Sequence, residues 1–269
     1  TWKSRGLGDV YKRQFYNCDD IWIRDYFPKI YISDGSKKMI RYRFNAYGEK
    51  YNYKNDNYFK EIFNYVSDEI DLDSLVLEGG NLEFSARGIL ITNMHCIKKN
   101  NIANYTINIE KEINRMTKKL GISELFTINL NGIIGDDTNG HIDNFIRFID
   151  NETIVYFASK DESYCNYQLA CKLEKQVKDI VDRSKIIKQA IPLYHYKDDE
   201  LIKNGKIFPY SKLNFIATTK YFIFPCISNN KESLLHDLDS LPSKTKMYVI
   251  NTEAALTEYG GLHCLTANI

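Results

Sequence analysis

Four short segments of the chain hold polar residues at spacings that a plain hydrophobic core does not require. The densest is Gly135-Asp136-Asp137-Thr138-Asn139-Gly140-His141-Ile142-Asp143, with three carboxylates and a histidine close together. In an extended stretch His141 and Asp143, two positions apart, project to the same side, so that one can move a proton while the other holds a cation. A calcium loop fits less well, because no Glu stands at the twelfth position. Near the C-terminus, Gly260-Gly261-Leu262-His263-Cys264 offers a thiol after a Gly-Gly turn, the pattern of an exposed nucleophile, although a single cysteine is more often a small buried hydrophobe. Its base must be sought elsewhere than at His263, since neighbouring side chains of an extended segment point apart.

The other two segments suit recognition. Asp20-Ile21-Trp22-Ile23-Arg24-Asp25 sets an aromatic wall beside a carboxylate, a receptor for a flat organic cation; the plainer reading is a core Trp22 with a surface Arg24–Asp25 pair. Leu77-Glu78-Gly79-Gly80-Asn81 brings backbone close to something or simply makes a tight turn, and it does not match the phosphate-binding glycine patterns. A second His-Cys dipeptide, His95-Cys96, invites a zinc site shared with His263-Cys264, but the close ligand spacing of zinc sites is missing.

Strand-like and helix-like pieces must position these groups. Extended segments are predicted at 27–33, 39–44, 81–84, 89–92, 126–130, 145–149, 153–158, 185–191, 213–217, 221–225 and 246–250. Helices are predicted where Phe59, Ile62, Phe63, Val66 and Ile70 recur at three and four, where Ile109, Ile113, Met116 and Leu120 precede Gly121, and over 163–183 with Leu169, Leu173, Val177 and Ile180 inward. The alternation predicts an α/β protein of several similar units. No Pro/Gly/Ser-rich linker divides it, so 15–269 reads as one domain. Residues 1–14 differ in flavour from the rest and resemble a junction sequence, and are expected to lie outside the native fold.

Composition narrows the function classes. In 269 residues, 36 Lys and Arg face 35 Asp and Glu, which leaves a net charge of +1 and no general attraction for nucleic acid. Hydrophobic content of 43% is that of a globular chain. Six cysteines without a Cys-x-x-Cys pair suit reduced thiols better than a disulfide framework. With neither a long apolar run nor a basic-then-apolar start, membrane insertion and secretion are not expected, and a cytoplasmic location is.

Together, Trp22-Ile23-Arg24-Asp25, Leu77-Glu78-Gly79-Gly80-Asn81, Gly135 to Asp143, the 210–215 stretch with Asn214, and Gly260-Gly261-Leu262-His263-Cys264-Leu265-Thr266 resemble the agmatine deiminase and bacterial (Porphyromonas-type) peptidylarginine deiminase family of the guanidino-group-modifying superfamily. The resemblance implies the pentein fold, a five-bladed α/β propeller, of which this chain would hold about four blades with N-terminal material missing. It implies Cys264 as nucleophile, His141 as general acid/base, Asp25 and Asp143 as the guanidinium-gripping pair, and Trp22, Asp137, Asn214 and Glu78 as substrate contacts. Departures are Phe27 where a Gly is usual, Asn139 where an acid is common, and the polar run Ile97-Lys98-Lys99-Asn100. The expected function is deimination of agmatine to N-carbamoylputrescine and ammonia, a step toward putrescine, without metal or organic cofactor. The alternatives are deimination of peptidyl-arginine to citrulline and a truncated, non-catalytic paralogue. The expected partner is a small cationic guanidine; neither nucleic acid nor membrane is expected, and a homo-oligomer is compatible with the sequence.

Overall fold

Short runs of apolar and β-branched residues broken by turns fold, in this computed structural model, into four three-stranded sheets of one design. The structure describes residues 18–33, 36–53, 68–102, 107–242 and 245–267. Strands β1 (Lys29–Ser33), β2 (Ser36–Arg43) and β3 (Asp68–Val76) make the first sheet; β4 (Glu83–Phe84), β5 (Ile89–Asn93) and β6 (Glu124–Ile128) the second. The third holds β7 (Ile146–Phe148), β8 (Thr153–Ala158) and β9 (Gln189–Tyr194). A two-stranded hairpin of β10 (Leu201–Lys203) and β11 (Lys206–Phe208) precedes the fourth, of β12 (Ile216–Ala217), β13 (Tyr221–Cys226) and β14 (Lys246–Asn251).

In every three-stranded sheet the first two strands pair antiparallel and the second and third parallel. A parallel partner needs a long crossover, and helices supply it in three of the sheets. These are α1 (Met94–Asn100) and α2 (Ile109–Leu120) in the second, α3 (Tyr167–Arg183) in the third and α4 (Lys231–Asp239) in the fourth. The helix expected from Phe59 to Ile70 falls mostly on residues 54–67, which lie outside the described residues, and Ile70 itself belongs to β3. Residues 1–14 also lie outside them.

Helix α2 occupies the expected span: the Asn108 side chain accepts the Lys111 amide at its start, and Gly121 ends it at φ 65°. Its Ile113, Met116 and Leu120 pack with β2 and β3. On α3 the inner stripe is Ala170, Leu173, Val177 and Ile180, so Ala170 stands where Leu169 was expected. That helix lies in the larger core, which runs through the second, third and fourth sheets. The strand expected at 185–191 begins later, because the Ser184 hydroxyl accepts the amides of Ile186 and Ile187 and holds a turn there. Among the described residues no helix is long and apolar enough to cross a membrane.

Two features of this repeat position chemistry. The first strands β1, β4, β7 and β12 all border one cavity of about 200 Å³, into which Arg24, Lys29, Glu83, Arg147 and His263 also face. Burial lowers Lys29 there to about 7. Most of the polar segments singled out in the sequence are lead-ins to those strands: 22–25 ahead of β1, 78–81 ahead of β4, 141–144 ahead of β7 and 211–214 ahead of β12, whereas 260–264 follows the last strand.

Candidate active site

Gly80 marks where three lead-in segments meet. A Cβ at that position would lie 2.6 Å from His141 Nδ1, 2.7 Å from Asp25 Oδ1 and 3.2 Å from Asp143 Oδ2. One imidazole and two carboxylates therefore converge within reach of a single point, and all three side chains are buried. The expectation that His141 and Asp143 share one face of an extended stretch does not hold; residues Ile142–Asn144 form a 3₁₀ turn, and the turn rather than alternation brings the pair together.

Each of the three is held by further polar groups. Asp25 accepts the Gly80 amide at 2.9 Å and the Tyr47 hydroxyl at 3.0 Å. Tyr47 belongs to the Ala46–Glu49 turn, whose residues all have positive φ, a conformation that costs non-glycine residues about 1–2 kcal/mol each and is sustained by its surroundings. Asp143 Oδ2 accepts from His263 Nδ1 at 2.7 Å, and Nε2 of His141 lies 2.6 Å from Glu78 Oε2. Among the described residues His141 Nδ1, Asp143 Oδ1 and Glu78 Oε1 are buried without a hydrogen-bond partner, Nδ1 facing Asp25 Oδ1 across 3.4 Å. In an interior where most polar atoms are paired, such a cluster is the mark of a place prepared for a ligand.

Charge follows from this packing. Burial, partly offset by His141, raises Asp25 to about 7, and burial also raises Asp143. On His141 burial pulls downward, but Asp25, Cys96 and Glu78 outweigh it and hold the ring well above its ordinary range, which favours the imidazolium. Burial and the neighbouring Arg147 and Arg24 keep His263 neutral, suited to donate Nδ1–H to Asp143.

The thiol of Cys264 completes the group but is not the exposed nucleophile expected. It is 7% exposed, on a 3₁₀ turn, at a narrow recess of about 20 Å³ shared with His141, Asn214, Gly260 and Gly261. Burial, Asp143 and Asp25 all push the thiol upward, so the protonated form rests there. Asn214 lies 3.6 Å from the sulfur and accepts the His263 amide at 2.8 Å. Gly261 passes so close to Asn214, and Gly260 to the Trp22 ring, that a side chain at either would collide.

Outside this recess a wider cavity of about 510 Å³ is bordered by Asp19, Asp20, Trp22, Tyr51, Asp137 and Glu258. Tyr51 donates to Asp137 Oδ2 at 2.9 Å, and Lys50 donates to the Asp137 carbonyl. Burial raises both Asp20 and Asp137. An acid-rich, aromatic approach is suited to an organic cation.

Of the residues singled out in the sequence, Asp25, His141, Asp143, Cys264 and Asn214 come together, Trp22 walls them, and Asp137 stands at the approach. Glu78, expected among the substrate contacts, sets one carboxylate oxygen against the imidazole. Arg24 and Asp25 are not a surface pair: both are buried, and Arg24 donates to the His263 carbonyl and to Thr266 Oγ1. Tyr47 and His263 were not foreseen in these places. The two His-Cys dipeptides do not join in a zinc site; among the described residues the metal-type donors that cluster are Glu78, Cys96 and His141.

The glycines make one expectation concrete. A Cβ on Gly79 would press into the backbone carbonyl of Arg24, which cannot swing aside. Gly79→Ala should lower the unfolding free energy by about 1–3 kcal/mol. Urea denaturation measures this, and an unchanged midpoint would mean that the lead-ins to β1 and β4 are not packed as described.

Comparison with known proteins shows the family and the fold. Residues 9–269 match the model of the Porphyromonas-type peptidyl-arginine deiminases. A Vibrio parahaemolyticus protein named "Putative agmatine deiminase" is 25% identical over 274 residues, covering 93% of this chain and 76% of its own. A solved C. jejuni agmatine deiminase with substrate bound superposes with a TM-score of 0.78 at 25% identity, over 96% of this chain and 76% of that one. An Enterococcus faecalis agmatine deiminase gives 0.81 at 21% identity, over 91% and 73%. With its repeated mixed α/β sheets, its buried carboxylates, imidazole and thiol, and a family match along almost its whole length, the chain belongs to the Porphyromonas-type peptidyl-arginine deiminase family, whose relatives share the pentein fold.

Proposed function

We propose that this protein hydrolyses a C–N bond of a guanidinium, with agmatine as substrate and N-carbamoylputrescine and ammonia as products. The observation that carries the reading is the convergence of Asp25, Asp143 and His141 beside Cys264, with buried polar atoms left unpaired. A guanidinium spreads one charge over three nitrogens, and its carbon is a poor electrophile in water. Two carboxylates accepting its N–H groups fix that carbon against the thiol and balance its charge.

The arriving cation also offsets the carboxylates that hold the thiol protonated, so substrate favours the thiolate. The thiol proton passes to solvent, sulfur attacks the central carbon, and His141, an imidazolium, gives its proton to one amino group, whose C–N bond breaks to release ammonia. The neutral imidazole next takes a proton from water; the resulting hydroxide adds to the thiouronium carbon, the C–S bond breaks, and the ureido product leaves with Cys264 restored. Glu78 supports the charged imidazole from its far side. Four similar units around one cavity among the described residues suit an α/β propeller, and residues 15–269 read as one catalytic domain.

Agmatine carries a second cation, which would meet the acids of the approach. Asp137→Asn should reduce kcat/KM for agmatine by about ten- to a hundredfold, roughly 1.5–3 kcal/mol, and leave butylguanidine almost unaffected. Equal losses on both would show that Asp137 only shapes its turn. The family description favours peptidyl-arginine as a second reading. A ureido-product assay on agmatine, arginine and an arginyl peptide decides between them, and a preference for the peptide would overturn agmatine.

A further inference from the structure

Cys96 takes no part in the chemistry above, yet it lies against it. Its Sγ is 3.4 Å from Glu78 Oε2 and 3.5 Å from the Thr138 carbonyl oxygen, and it accepts from Asn100 Nδ2 at 3.6 Å. Glu78 Oε2 is in turn 2.6 Å from His141 Nε2. One sulfur, one carboxylate oxygen and one imidazole nitrogen thus lie within 4.8 Å of one another, all on buried residues. The second oxygen of Glu78 is buried without a partner.

We propose that Glu78, Cys96 and His141 form a binding site for one thiophilic divalent cation of the zinc class, on the Nε2 side of the imidazole and away from Asp25. Thiolate, imidazole and carboxylate make a donor set that zinc and cobalt accept and that magnesium and calcium do not prefer. Tetrahedral ligands of zinc stand about 3.3–3.5 Å apart. The sulfur-to-carboxylate distance already meets that spacing, and the imidazole must move from Glu78 by less than about 1 Å. The Thr138 carbonyl or the spare Glu78 oxygen stands near enough to serve as the fourth ligand. Binding exchanges the Cys96 thiol proton and the His141 Nε2 proton for the cation, both protons passing to solvent.

A cation there would hold His141 where it can no longer pass a proton, so occupancy switches hydrolysis off. That consequence rests on the acid–base role of His141, whereas the site itself does not. The test uses the full chain with Cys264→Ala, which removes the competing thiol of the recess, and the same protein with Cys96→Ser added. Titrated with Co²⁺, the first should bind one equivalent and develop thiolate-to-cobalt charge-transfer absorption in the near ultraviolet. The second should show no such band, and Zn²⁺ competition against a chromophoric chelator should give an affinity at least tenfold weaker, with near-ultraviolet circular dichroism unchanged. Equal bands in the two proteins, or no band in either, overturns the site. In protein that retains Cys264, Zn²⁺ should inhibit turnover, chelator should restore it, and Cys96→Ser should lower the sensitivity at least tenfold. Cobalt binding without zinc inhibition supports the site and removes His141 from the acid–base role.

Discussion

Cys264→Ala should give a folded protein whose guanidine hydrolysis is reduced by at least about 10⁴-fold. In the proposed reaction the thiol supplies the covalent step, and among the described residues no other cysteine borders the recess. Truncation at this site removes little packing, because the sulfur's neighbours are the polar Asn214 and the backbone of two glycines rather than a hydrophobic cluster. Far-ultraviolet circular dichroism and the urea midpoint should therefore match those of the parent protein. Cys96→Ala should keep most of its activity, since its sulfur touches the far side of the imidazole and not the recess. An inactive Cys96→Ala beside an active Cys264→Ala would reverse the assignment of the nucleophile.

Removing charge from either carboxylate should be nearly as damaging. Asp25→Asn and Asp143→Asn are each expected to lower kcat/KM by roughly 10²–10⁴-fold, because each deletes a charged partner of the guanidinium in a site shielded from water. Asp25→Asn carries a second signature in stability. In the folded protein burial raises Asp25 from the usual carboxylate range to about 7. Its contribution to stability is thus fully present below about 4 and is lost as pH rises toward about 7. Asparagine, which never ionises, avoids that loss, and can still accept the Gly80 amide. The variant should be at least as stable as the parent at pH 8, with the advantage vanishing at pH 4. Thermal melts at the two pH values measure it, and a variant markedly less stable at pH 8 would mean that the ionised carboxylate is holding the fold rather than waiting for a cation.

The residue patterns pointed to the converging polar groups more fully than to the neighbours that support them. Periodicity located α2 and α3 well, because each buries one apolar stripe against a sheet. It missed α1, whose Met94–Asn100 span is too short and too polar to show a stripe, and α4, where Leu234 and Leu238 alone are buried. The β10–β11 hairpin was also missed, although Asn204-Gly205 supplies two consecutive positive φ values and is a recognised two-residue hairpin turn. His263 was set aside because adjacent side chains of a strand diverge. The turn around it is 3₁₀, and its partner, Asp143, lies 120 residues away in sequence. Tyr47 left no readable trace: its reach to Asp25 depends on a left-handed turn that local propensity does not favour. Glu78 was legible as a polar oddity beside paired glycines, but whether it faced substrate or imidazole depended on the packing of three lead-ins against one another.

Those lead-ins bear on how such a site can change over generations. Asp25, Gly80, His141 with Asp143, and Asn214 are supplied by four separate segments, each tied to its own sheet, and each sheet has its own helix or crossover to hold it. Loops carried on a stable framework tolerate replacement better than the framework does. A lineage can therefore rewrite the approach beside β1, and so trade one guanidine for another, while the imidazole ahead of β7 is inherited intact. The costly innovations are those at Gly79 and Gly80, where lead-ins touch backbone to backbone or backbone to reacting group, because a new side chain there disturbs two inheritances at once.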